Sequence, residues 1–190
     1  MDNISGHRRL LGLTLAGLQG VASEVGLPGF AAKQMAQWLY DKRVCTIGEM
    51  TNLPKAARAR LADEGWTVGR ERPKAEQRSA DGTVKFLFEG RGGRDVEAVY
   101  IPDRERATLC VSSQAGCRMA CSFCMTGRQG FHGNLDAADI INQVLSIPQS
   151  GSLTNIVFMG MGEHMDNLRA VMDAVEVLTA PWGLGWSPKR

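Results

Sequence analysis

Apolar residues at Leu15, Leu18, Val21, Ala22 and Val25 recur at the three- and four-residue spacing of a helix with one buried face. Thr14 stands where an N-cap belongs, Gly26 ends the run and Pro28 follows, so a helix is predicted from 14 to 25. Residues 30–42 repeat the period, with Met35, Trp38 and Leu39 on one face. Thr46 and Glu49 have the spacing of a capping box. Pro54 opens a third helix through 64, which Gly65 closes. A small bundle of short helices is predicted for residues 1–73.

After Pro73 the period shortens to two. Asp81-Gly82 is a hairpin signal between residues 76–79 and 84–88. Gly90, Gly92 and Gly93 form a turn, and residues 95–101 alternate up to Pro102. Residues 107–112 read as another strand. Helix and strand then exchange: Asp136 caps a helix to 147, residues 155–159 read as a buried strand, and 168–178 as a helix. That order implies a parallel sheet whose chemistry sits at the carboxyl ends of its strands. The fold class is α/β, with a boundary near Pro73 that divides 1–73 from 74–190.

Composition changes this picture little. Of 190 residues, 44% are hydrophobic and 22% charged, ordinary for a globular chain. The net charge of +2 does not mark a nucleic-acid binder, but its distribution is uneven. Residues 1–74 hold 11 Lys and Arg against 7 Asp and Glu; the remainder holds 11 against 13. Lys33, Lys42, Arg43, Lys55, Arg58 and Arg60 can meet a phosphate backbone, although a solvated helix surface accounts for them as well. His7-Arg8-Arg9 before Leu10-Leu11 resembles a twin-arginine export signal, but the apolar positions continue at helical spacing, as in a core helix. No run reaches the roughly 20 apolar residues of a membrane span.

The chemistry lies in Cys117, Cys121 and Cys124, spaced C-x3-C-x2-C with Phe123 before the last cysteine. Five cysteines in 190 residues do not make a secreted disulfide framework. A structural zinc site wants a fourth ligand, for which Cys110 and His132 are near enough in sequence. A [4Fe–4S] cluster held by three thiolates leaves one iron open to a small molecule. Inert thiols are the third reading. Gly160-Met161-Gly162-Glu163 follows the next strand; glycines let the backbone approach a ligand, and a glutamate can accept from an ammonium group. Both loops are expected on the same rim. On these residues alone Glu97 is a solvent-facing strand residue and Cys110 a buried thiol, while Cys45, His7 and His132 have no assigned role.

From Leu11 to Arg190 the sequence resembles the RlmN-type radical SAM (S-adenosylmethionine) RNA methyltransferases. The resemblance rests on Gly26-Leu27-Pro28-Gly29-Phe30 with Trp38-Leu39-Tyr40, and on Val96-Glu97-Ala98-Val99-Tyr100-Ile101-Pro102. It continues through Thr108-Leu109-Cys110-Val111-Ser112-Ser113-Gln114-Ala115-Gly116-Cys117, Phe123-Cys124-Met125-Thr126-Gly127 and Phe158-Met159-Gly160-Met161-Gly162-Glu163. It implies a helical RNA-binding part over 1–73 and, over 74–190, a β-rich connection with the first portion of a radical SAM partial (β/α)6 barrel. The implied activity is methylation of carbon 2 of an adenine in 23S rRNA and in tRNA. Cys117, Cys121 and Cys124 would ligate a [4Fe–4S] cluster, Gly162 and Glu163 would hold S-adenosylmethionine, Glu97 would act as general base, and Cys110 would be one of two catalytic thiols. In the family's mechanism the partner cysteine carries a methyl group that becomes joined to adenine, and the Cys110-type thiol resolves the crosslink. The resemblance also implies a cytoplasmic monomer away from membranes, fed by an electron donor such as a flavodoxin-type reductase system.

Two departures stand out. His164 occupies a position where the family commonly has proline, and no cysteine follows Cys124. Only two β/α units are expected where a partial barrel needs about six, so the chain reads as an incomplete radical SAM core. The alternative is a catalytically inactive remnant acting at most as an iron–sulfur or RNA-binding module.

Overall fold

The computed structural model describes residues 8–90 and 93–189. Strand β1 (Arg8–Arg9) pairs in parallel with β2 (Trp66–Thr67), and between them run α1 (Leu15–Glu24), α2 (Ala31–Ala36) and α3 (Lys55–Asp63). Thr14 caps α1 by accepting the Gly17 N–H at 3.3 Å, and Leu18, Val21 and Ala22 are buried. The arginine-flanked leucine run is therefore core: Leu10 and Leu11 are buried as well. The second predicted helix divides into α2 and a π-turn at Gln37–Asp41. Thr46 and Glu49 form the expected capping box, on a single 3-10 turn (Ile47–Glu49). The turn expected at Gly90–Gly93 includes Gly92, and that part, like His7, lies outside the described residues.

A five-stranded sheet follows in the order β3 (Ala75–Arg78), β4 (Val84–Phe88), β5 (Val96–Asp103), β6 (Arg106–Cys110), β9 (Asn155–Val157). The Asp81-Gly82 hairpin forms as expected, with Asp81 accepting from the Thr83 amide at 3.0 Å and from its hydroxyl at 3.1 Å. The parallel pairing expected of the β/α series forms between β6 and β9, and the hairpin strands before it make the whole sheet mixed. β3 to β6 are antiparallel, and only β6 and β9 run in parallel, because the hairpin strands add directly to the first strand of the β/α series. β5 also runs through Pro102 to Asp103, and β9 is half-buried and ends at Val157.

Two short strands, β7 (Gln114–Gly116) and β8 (Phe131–Asn134), form a separate antiparallel pair around the cysteine loop and the single-turn α4 (Met125–Arg128). Helix α5 (Ala137–Leu145) crosses from this pair to β9, and α6 (Leu168–Thr179) packs beside it. Val84, Phe86, Phe88, Val96, Ala98 and Leu109 bury one face of the sheet in a core shared with Ile140, Ile141 and Val144 of α5 and Val171, Ala174 and Val177 of α6. The N-terminal segment is tied to α5 by charge and by amides. Arg9 pairs with Asp136 at 2.6 Å and Asp139 at 2.7 Å, and the Asn142 carboxamide exchanges two hydrogen bonds with the Glu71 backbone. No helix among the described residues is long and apolar enough to cross a membrane.

Candidate active site

Strand register sets which side chains share a surface. Residues opposite each other in an antiparallel pair point to the same face. Lys85 lies opposite Val99, Val99 opposite Cys110, and Cys110 beside Val157, so these four form one row across four strands. Glu97, opposite Leu87, stands on that same face two residues along. Glu97 and Cys110 are therefore diagonal neighbours on the open face of the sheet. The Lys85 ammonium lies 3.0 Å from the Glu97 carboxylate. Cys110 is half-buried, and desolvation pushes its thiol above the ordinary range, opposed by the Met159 backbone amide.

A cleft of about 480 Å³ opens over this face. Its walls include Lys85, Arg94 and Glu97 from the sheet region, Gly116, Met125, Thr126 and His132 from around the cysteine loop, and Met161 from the glycine loop. Three parts of the chain singled out by sequence thus meet at one cavity. Cys110 is not in its wall.

The two loops are held together by buried polar groups. The Ser113 and Gln114 amides both donate to Met161 O, at 2.9 and 3.2 Å. The fully buried Ser112 hydroxyl accepts the Met161 amide at 2.8 Å and donates to Glu97 O at 2.6 Å. Gln143 of α5 brackets the Ser112 backbone, accepting from its N–H at 2.9 Å and donating to its carbonyl at 3.0 Å. Asn167, also buried, donates to Ser113 O at 2.8 Å and Leu135 O at 2.7 Å. Sequence pattern gave these residues no role, since a buried amide in a polar run carries no periodic signal. For Ser112, Ser113 and Gln114 the run itself was the available pointer; Gln143 and Asn167 lie outside it.

Two glycines are required by the geometry. Gly162 has φ +96°, and a Cβ there would stand 2.5 Å from Gln114 Cβ. Gly116 has φ +74°, and a Cβ would meet Gly130 O at 1.7 Å. Gly116 starts the cysteine loop against β8, where the Cys117 amide donates to Gly130 O at 3.1 Å.

All three motif cysteines are free thiols, Cys121 exposed and the other two half-buried. Cys124 precedes α4, and the Gly127 and Thr126 amides hold its thiol below the ordinary range. The Met119 amide points at the Cys117 sulfur at 3.5 Å. Thiols in reach of amide donors, one of them favoured as thiolate, suit a soft iron–sulfur group. Among the described residues no three His, Cys, Asp or Glu side chains stand together closely enough to hold a metal ion. Glu163 caps the 3-10 turn His164–Asn167 by accepting the Met165 amide at 3.0 Å.

Comparison with known proteins agrees with this layout. The family model described as the ribosomal RNA large subunit methyltransferase N-terminal domain matches residues 8–65. An RlmN protein of Parabacteroides distasonis is 58% identical over 183 residues, covering 96% of this chain and 53% of its own length. The dual-specificity RNA methyltransferase RlmN of Halorhodospira halophila is 45% identical, over 98% of this chain and 52% of its own. A crystal structure of a radical SAM methyltransferase from Sphaerobacter thermophilus superimposes with a TM-score of 0.84 at 37% identity, covering 96% of this chain and 55% of that one. Over nearly its whole length the chain is RlmN-like.

It spans about half the length of the curated RlmN relatives it matches. His164, the departure noted in the sequence, follows Glu163 at the start of a 3-10 turn. Glu163 has φ −101° and ψ 109°, the extended backbone that a following proline would also demand. His164 opens the 3-10 turn, the position at which proline is well tolerated because its missing N–H has no partner inside the turn. Of the basic residues on the RlmN N-terminal part, Arg43 reaches Ser150, Arg58 the Gly48 carbonyl and Arg60 the Glu64 carboxylate, while Lys42 lies over the Trp38 ring. These four are engaged within the fold, which leaves Lys33 and Lys55 as the freest of the six for an outside partner.

Proposed function

We propose that this chain works in radical SAM methylation of RNA, at carbon 2 of an adenine in 23S rRNA and tRNA. The cleft carries this reading, because it joins Glu97 to the flanks of the cysteine loop and to the glycine loop. Residues 1–73 are then the RNA-binding part and 74–190 the radical SAM core, the first portion of a partial barrel. Cys117, Cys121 and Cys124 would hold a [4Fe–4S] cluster, and Gly162 with Glu163 would hold S-adenosylmethionine. When bound, the cluster supplies one-electron chemistry, which an electron-poor ring carbon needs.

The chain's own residues have plain tasks in this reading. Glu97 takes a proton from the adenine ring, and Lys85 at 3.0 Å holds its carboxylate in place beforehand. Cys110, on the same face, would resolve the protein–RNA link as a disulfide. Its sulfur bonds to that of the methyl-carrying cysteine, the sulfur–carbon bond to the RNA breaks, and the released methylene takes up a proton to become the methyl group. Partial burial keeps Cys110 a thiol until then. The partner thiol of the methyl-cysteine scheme has no candidate after Cys124 in these 190 residues. The adenine must be unstacked to enter. A flavodoxin-type electron donor, a monomeric state and a cytoplasmic setting complete the proposal.

Anaerobic reconstitution with iron and sulfide tests it. A brown chain with about four irons, which cleaves S-adenosylmethionine on reduction, supports the reading. A colourless chain holding one zinc rejects it.

A further inference from the structure

Gln114 is fully buried at the start of β7, three residues before Cys117. Every polar atom of its side chain is committed between the two loops. Oε1 accepts the Glu163 amide at 2.9 Å. Nε2 donates to Asn134 Oδ1 of β8 at 2.8 Å and to Asp166 Oδ2 of the 3-10 turn at 3.1 Å. Its backbone amide reaches Met161 O, and its Cβ and Cγ fill the space that a side chain at Gly162 would need. One residue therefore touches the glycine loop at Met161, Gly162 and Glu163, the turn after it, and both strands that frame the cysteine loop.

We propose that Gln114 is a positioning residue that fixes the distance between the glycine loop and the cysteine loop, so that neither shifts without the other. The inference rests on the reading of Gly162 and Glu163 as the S-adenosylmethionine loop. Neutrality is part of the device. A carboxamide can accept from Glu163 N–H and donate to Asp166 at once; a carboxylate at the same place would face the Asp166 carboxylate across 3.1 Å. Gln114 acts through Gly162, Glu163 and the turn after them. Its effect is on the spacing of two sites that must act on one molecule, where small displacements are costly.

The test is a titration of the reconstituted, reduced chain with S-adenosylmethionine, read by the change in the cluster's electron paramagnetic resonance signal. Gln114→Ala should keep its iron and sulfide yet need about ten- to a hundredfold more S-adenosylmethionine, the usual scale for lost outer support of a ligand site. Leu61→Ala, a core change in α3, serves as the control for general destabilisation and should titrate as the parent does. Gln114→Glu should weaken binding, and Gln114→Glu combined with Asp166→Asn, which exchanges donor and acceptor across the same gap, should recover it. Without any cofactor, the Glu163 amide should exchange its hydrogen faster in Gln114→Ala than in the parent chain. Wild-type titration by Gln114→Ala, loss of iron from it, or equal weakening by Leu61→Ala each overturns the inference alone. A parent chain that takes up the cluster and ignores S-adenosylmethionine overturns the reading of the glycine loop, and this inference falls with it.

Discussion

Single atoms decide much of this site. A methyl group at position 162 would collide with Gln114 and force a backbone at φ +96° on an L-residue. Gly162→Ala should therefore cost about 1–3 kcal/mol and lower the melting temperature, and it should weaken S-adenosylmethionine binding more than an alanine at the open Gly151 does. Among the cysteines the roles should separate cleanly. Cys121→Ala should abolish iron uptake, whereas Cys110→Ala should leave the iron content of the reconstituted chain unchanged; loss of iron from both would remove Cys110 from its proposed role. Cys110 should also betray its burial. Desolvation raises its thiol above the ordinary value of 9.0, so the reactive thiolate forms only as the pH passes that value. In the metal-free chain, iodoacetamide labelling followed by peptide mass spectrometry should find Cys110 slow at pH 8 and still accelerating above pH 9.

At the scale of elements, α5 is the hinge pin between the front of the chain and the site. Its capping box joins Asp136 and Asp139, and both carboxylates also hold Arg9. Asp136→Ala removes cap and ion pair together and should cost about 1–2 kcal/mol in denaturant unfolding, while Asp136→Asn keeps the cap and should cost less. The elements with a strong period were legible in the sequence: α1 with its Thr14 cap, the Asp81-Gly82 hairpin, and α5 from Asp136. The β7–β8 pair was not. Its strands are three and four residues long, include Gly116 and Gly133, and enclose fourteen residues of loop and single-turn helix, so no alternation survives to be read. The mixed direction of the sheet was equally hidden, because periodicity tells which face is buried and is silent on which neighbour pairs. Glu97 and Cys110 were named through family resemblance alone. What placed them on one face is the β5–β6 register, Val99 opposite Cys110, which is a long-range property. Gln114, Gln143 and Asn167 escaped for a related reason: each satisfies backbone groups far away in sequence.

For the molecule as a whole, the cysteine loop is framed on both sides but open on top. Met119, Phe123 and Met125 are exposed around its thiols. A group that draws the three sulfurs together would order this loop, so reconstitution should raise the melting temperature, and a chelator that strips the iron should return it to the metal-free value. A melting temperature indifferent to iron would mean that the loop does not gather around it. The Arg9 pairs span 127 and 130 positions of chain. During synthesis that guanidinium leaves the ribosome long before either carboxylate exists, with β2, its backbone partner's strand, arriving in between. The ties between the N-terminal bundle and α5 can therefore close only once the ribosome has delivered the start of α5, so the chain is built front to back and joined to its site from the back.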